Sequence, residues 1–224
     1  MIAPAKKGPA LVLAGCMLVV AFAAPVATAA QPATPSPDDA RIDKLTDLVV
    51  EAVPFGKIFD IAAADPDWPL QTESGDAVAV RRACLREQLS PAGYRRNKRV
   101  EVAAYVAANP DRIGEDIALL ENGGASIMGM AMMAGVDSKV SGKEIDPQAL
   151  LATIPQERLA IFLSFLNDEK YLPLRRVAGL LMPIEGDDAE GNTANEAHGA
   201  MMAARVMQQA VAHCDAQQGG QAGK

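Results

Sequence analysis

Residues 36–53 read SPDDARIDKLTDLVVEAV, and this stretch decides the fold class. Ser36 stands at an N-cap position, Pro37 at N1, and Asp38 and Asp39 put acids in the first turn. That order satisfies the free N–H groups and the positive end of a starting helix. Ile42, Leu45, Val49 and Val53 then recur every three or four residues. This is the stripe of a helix packed on one face, not the alternation of a strand. Pro54-Phe55-Gly56 interrupts it, and Ile58 to Ala64 resumes briefly.

The same grammar repeats downstream. Residues 65–75, with Pro66, Trp68 and Pro69, read as a loop. Ala77 to Leu89 reads as a helix with Val80, Cys84 and Leu85 on one side and Arg81, Arg82 and Arg86 largely on the other. Ser90-Pro91 opens a helix running towards Ala108, and Asn109-Pro110-Asp111 caps the next, which carries Ile113, Ile117 and Leu120. Gly123 to Gly135 is almost wholly apolar. As a helix without a polar face it should be buried, with Gly124, Ala125, Gly129 and Ala131 letting neighbours approach closely. At about 13 residues it is too short to span a membrane. Val136 to Pro147 reads as a polar loop.

Thr153-Ile154-Pro155-Gln156 has the form of a capping box, followed by Leu159, Phe162, Leu163 and Leu166 at helical spacing. Pro173 stands in the first turn of a segment reaching Met182, and Glu185 to Asn192 reads as an acidic loop. Thr193-Ala194-Asn195-Glu196 is a second capping box. It opens a last helix with Ala200, Ala203, Met207, Val211 and Cys214 on one stripe. No strand pattern and no internal repeat is present. The sequence therefore predicts an all-α protein, an irregular bundle of about seven helices around a single core. Its expected divisions are a signal peptide at 1–30, a linker at 31–37, a helical domain at 38–216 and a disordered tail at 217–224.

The N-terminus explains the first of these divisions. Lys6 and Lys7 form a short positive region, and an apolar run follows from Ala10 to Ala24. Ala27-Thr28-Ala29 then supplies small residues for cleavage after Ala29, with Ala30 nearly as good. This is the three-part pattern of a secretory signal, and its apolar run of about 15 residues is shorter than the roughly 20 a spanning helix needs. A second reading stands beside it. Leu13-Ala14-Gly15-Cys16 has the form of a lipobox, which would make Cys16 a lipidated first residue. Only about six apolar residues precede Cys16, fewer than the 7–15 of an ordinary h-region, and this favours removal of Cys16 with the signal.

Export frames the rest. Removing Lys6 and Lys7 from the 21 Lys and Arg leaves 19 against 28 Asp and Glu, a formal charge of −9 for the mature chain. Such a balance argues against nucleic-acid binding, which needs a basic footprint. No membrane span is expected after signal cleavage. Aromatics make up 4% of the chain, a helix-forming composition poor in strand formers. Of the 3 cysteines, only Cys84 and Cys214 survive cleavage. In an oxidising compartment that pair predicts one disulfide, with both residues on core-facing stripes and their Cα atoms within about 7 Å.

Candidate chemistry is thin. His198 and His213 both lie on the last helix, about 22 Å apart at ~1.5 Å per residue, and cannot share one site. No nucleophile motif marks a serine partner for either. Methionines cluster at Met128, Met130, Met132 and Met133 and again at Met182, Met201, Met202 and Met207. Thioethers suit Cu(I), and His198 with Met201 and Met202 has i, i+3, i+4 spacing. Met is also the usual gap-filler of a Gly/Ala-rich core, the reading the spacing of Met128 and Met130 favours. The acids Glu185, Asp187, Asp188 and Glu190 do not fit a Ca²⁺ loop, since Thr193 stands where the required Gly should be. Neither a cofactor nor a bound metal is therefore expected. Arg95, Arg96, Lys98 and Arg99, with Arg81, Arg82 and Arg86, form a basic cluster in an acidic protein. They are either a docking patch for an acidic partner or anionic envelope polymer, or a helix face offset by neighbouring acids.

From Leu151 to Gly179 the chain resembles a family of exported bacterial helical proteins catalogued as domain of unknown function twenty fifty-nine. The residues that carry the likeness are Ile154-Pro155-Gln156-Glu157-Arg158-Leu159, Phe162 to Phe165, and Arg175-Arg176. The turn Asn167-Asp168-Glu169-Lys170 departs from the family's Ser-Pro-x-Gly type. The resemblance implies a helical fold and an exported compartment, and brings no catalytic residues with it. The expectation is an exported, non-enzymatic helical protein, periplasmic or secreted, that binds a partner protein in the envelope. An immunity or inhibitor protein is its most concrete form. The alternative is a periplasmic copper carrier or an envelope enzyme.

Overall fold

In the computed structural model the residues described are 36–72, 75–143, 145–180 and 189–221. The expected signal at 1–30, the linker residues 31–35, the acids Glu185, Asp187 and Asp188, and residues 222–224 lie outside them. Ten α-helices and no strand occur among the described residues, which confirms the all-α class.

The first helix, α1 (Pro37–Ala52), starts as its sequence dictates. The Ser36 hydroxyl accepts from the Asp39 N–H at 3.1 Å, with Pro37 following. Its stripe buries Leu45, Leu48, Val49 and Ala52, and Thr46 hides its hydroxyl by donating to the Ile42 carbonyl at 2.7 Å. Pro54 ends the run, and within α2 (Phe55–Ala62) Phe55 stacks on Phe59 one turn later, with ring centroids 5.6 Å apart. The next pair, α3 (Asp76–Leu89) and α4 (Pro91–Ala108), meets at an elbow built on Ser90. That hydroxyl accepts from the Gly93 N–H and donates to the Glu87 carbonyl, closing one helix and opening the next.

Helices α5 (Ile113–Leu119) and α6 (Ala125–Ser141) are joined by a π turn, Leu120–Gly124, whose kink sits at Gly123 with φ 134°. The combined run is apolar and long enough to cross a membrane by length and composition, but 44% of its most apolar window is buried inside the fold. After it come α7 (Pro147–Ala152), α8 (Gln156–Asn167), a 3-10 turn Glu169–Tyr171, α9 (Leu172–Ala178) and α10 (Ala189–Gln221). One hydrophobic cluster draws on most of these helices. Its centre is α1, which packs against α4, α6, α5 and α9, while α10 lies along α3.

Four expectations are corrected. Val136 to Ser141, read as loop, continues α6. Nothing in it breaks a helix, and the stop is Gly142, in the left-handed conformation at φ 67°. The second half of α6 is not buried: Ala131 and Gly135 are exposed, and Val140 is 69% exposed. The last helix starts at Ala189, ahead of the capping box at Thr193, and runs through Gln217 to Gln221, so most of the expected tail is helical. Finally, Val80 does not share the core side of α3 with Leu85. It is 64% exposed while Leu85 is fully buried.

Candidate functional site

Cys84 on α3 and Cys214 on α10 form a disulfide with Cα atoms 6.0 Å apart, closing a separation of 130 residues. The bridge pins the C-terminal helix to the first half of the bundle, where Cys214 is fully buried. Arg81, one turn before Cys84, reinforces it by pairing with Asp215 at 3.2 Å.

The other members of the basic cluster are also engaged inside the fold. Arg86 donates to the carbonyls of Trp68 and Asp65, and Arg82 to that of Leu70 with Asp67 at 3.3 Å. These two therefore fasten the 65–72 loop to α3. Arg95 and Arg99, one turn apart on α4, face Asp39, Asp43 and Asp47, one turn apart on α1. Arg99 reaches Asp43 at 2.8 Å and Asp39 at 3.0 Å, and Arg95 reaches Asp47 at 2.6 Å. The Ser36 hydroxyl and then Arg99 hold Asp39 below the usual carboxylate range, and Arg99 does the same for Asp43. Arg96 pairs with Glu87 across the elbow. The cluster is thus a set of internally paired cations on α3 and α4.

Lys98 departs most from a surface patch, being 7% exposed. Its ammonium donates to Glu101 at 2.7 Å and to the Val177 carbonyl at 3.1 Å, and stands 5.8 Å from the Tyr94 ring centroid. It therefore neutralises an acid on its own helix and caps the C-terminal end of α9. That end is fixed by Gly179 at φ 93°, where the N–H groups of Gly179 and Leu180 return to the carbonyls of Arg176 and Arg175. Around Lys98 lies a cleft of about 30 Å³ between α4, α9 and α10, floored by Phe55, Tyr94 and Met202 and edged by Arg176, Arg205 and Gln209. Such a volume admits one or two waters or the head of a side chain. A second, open groove of about 290 Å³ runs between the start of α1 and the end of α4, lined by Asp38, Arg41 and aliphatic residues.

Sequence reasoning missed a buried polar group. Asp116 is fully buried; it accepts from the Tyr105 hydroxyl at 2.5 Å and lies 3.6 Å from Arg112. Its second oxygen has no hydrogen bond. Burial pushes the Asp116 carboxyl up, against the pull of Tyr105 and Arg112. The signal was available, since Asp116 occupies a stripe position between Ile113 and Leu120.

His198 and His213 are separate, as their spacing requires; His213 meets Gln217 at 2.8 Å. Both ring nitrogens of His198 are buried without a hydrogen-bond partner among the described residues. Met202, one turn on, is 8% exposed and Met201 is 55% exposed, so the two flanking thioethers differ in access. Met128 is buried in the core, as gap-filling predicts. Among the described residues no group of three His, Cys, Asp or Glu side chains has metal-binding geometry. No family model, curated protein or solved structure matches the chain.

Proposed function

We propose that this is an exported helical protein of the cell envelope or the space beyond it, which works by binding a partner protein rather than by catalysis. The observation that carries the reading is the Cys84–Cys214 bridge. Disulfides persist in oxidising compartments, and the bridge agrees with an N-terminus of secretory pattern and with the removal of the third cysteine in it. A bridge between distant helices also rigidifies the surface a partner would meet, which lowers the ordering cost of binding. The cleft of about 30 Å³ at Lys98 is far below the roughly 300–1,000 Å³ of small-molecule sites, and the groove of about 290 Å³ beside α1 is open and lined mainly by aliphatic side chains. An immunity or inhibitor protein that neutralises a toxin outside the cytoplasm is the most concrete form of this function.

One observation favours a second reading. The unpartnered ring of His198, one turn before Met201 and Met202 on α10, has residue types suited to Cu(I). Native purification of the mature protein from the envelope fraction separates the two. A stoichiometric protein partner without copper supports the first. Copper bound at one equivalent with no protein partner, lost in His198→Ala, would replace it with the second.

A further inference from the structure

We infer that the cleft between α4, α9 and α10 is the docking site, and that its occupant is an acidic side chain of the protein partner; this rests on the partner-binding reading above. Three cations, Lys98, Arg176 and Arg205, line the cleft against one carboxylate, Glu101. Glu101 is already occupied, with one oxygen on Lys98 at 2.7 Å and the other on the Gln209 amide at 3.3 Å. Arg176 and Arg205 are both exposed, and no ion pair or hydrogen bond engages either guanidinium among the described residues. The cationic residues on α3 and α4, by contrast, already have acids or carbonyls of this chain.

An unengaged pair of guanidinium groups is a planar multi-donor receptor for carboxylate. In a protein of mature charge −9, an acidic partner is repelled by most of the surface, so a local cationic cleft sets where and in what orientation it can dock. The size of the cleft fits a carboxylate on a longer chain and excludes a cofactor. Its shape is preset by the Gly179 turn and by Lys98 holding α9 to α4.

The test uses the full mature protein, isotope-labelled, titrated with a capped hexaglutamate peptide and separately with inorganic phosphate. The expected result is saturable amide shifts concentrated at residues 98–101, 176–179 and 205–209. R176E/R205E should weaken binding by about tenfold or more, R176Q/R205Q should weaken it less, and the neutral R95Q/R99Q should leave it unchanged. Both cleft variants replace exposed side chains, and unchanged spectra elsewhere establish their folding. Shifts centred on the Arg95 and Arg99 face, wild-type binding by R176E/R205E, or phosphate binding in the cleft without peptide binding would each overturn the inference. A copurified envelope partner held equally by wild type and R176E/R205E would overturn the cleft and leave the partner-binding reading standing. Peptide binding in the cleft with no envelope partner would strike that reading alone.

Discussion

Asp116 shows at the residue scale how a polar group survives in this core. It is fully buried, with one oxygen served by the Tyr105 hydroxyl and the other facing Arg112 beyond hydrogen-bond distance. Removing the hydroxyl leaves a desolvated carboxylate without its donor, an arrangement that typically costs about 1–3 kcal/mol. Tyr105→Phe should therefore lower unfolding stability by that amount in denaturant titration. A loss below the scatter of the measurement would show that water or a shifted Arg112 replaces the bond. The pH dependence has a definite sign. The folded carboxyl is raised above 3.8, so between that value and its folded pKa the native state binds more protons than the unfolded state. Stability from this group is then full at low pH and lost as pH rises. Asp116→Asn cannot titrate, so its stability relative to wild type should rise over that window; a difference independent of pH would contradict the burial argument. Asp116 was legible only as a polar residue in an apolar stripe. Its partner Tyr105 comes from another helix, which periodicity within one helix does not reveal.

At the element scale, the close approach expected of the Gly/Ala-rich segment is tightest at Gly129. A Cβ on Gly129 would stand 2.2 Å from the Glu51 carbonyl oxygen, so α1 and α6 touch backbone to backbone. Main chain cannot swing aside as a flexible side chain can. Gly129→Ala should then force the helices apart and destabilise by about 1–3 kcal/mol, despite the better helix propensity of Ala. Thermal unfolding checks this, and a variant as stable as wild type would show that the contact is looser. The caps at Ser36 and Ser90 and the stripe of α1 were legible because each is a local pattern with a local cause. The end of α6 was not: Asp137, Ser138, Lys139 and Ser141 look like loop residues, yet they occupy the solvated end of a helix that stops only at Gly142. The charged face of α3 and α4 was legible as a cluster, while its pairing with Asp39, Asp43 and Asp47 depended on α1 packing beside α4. Arg176 and Arg205 were invisible as a pair, because residues so far apart in sequence come to line one cleft only in the folded chain.

At the scale of the whole molecule, the disulfide is the longest constraint. A bridge closing 130 residues removes unfolded-chain entropy worth on the order of 4–5 kcal/mol in the chain-entropy treatment. That is comparable with the roughly 5–15 kcal/mol net stability of a typical domain. Reduction, or replacement of both cysteines by serine, should bring the urea midpoint down sharply, with α10 the first helix to lose amide protection. An unchanged midpoint would mean that packing alone holds α10. The central claim, that the protein is exported and folds around this bridge, is tested most directly by intact mass spectrometry of native protein denatured in the presence of a thiol-alkylating agent. The exported, bridged protein should give a chain beginning at Ala30 or Gln31 with no alkylated cysteine. A chain beginning at Met1, or a mature chain with Cys84 and Cys214 both alkylated, would contradict it.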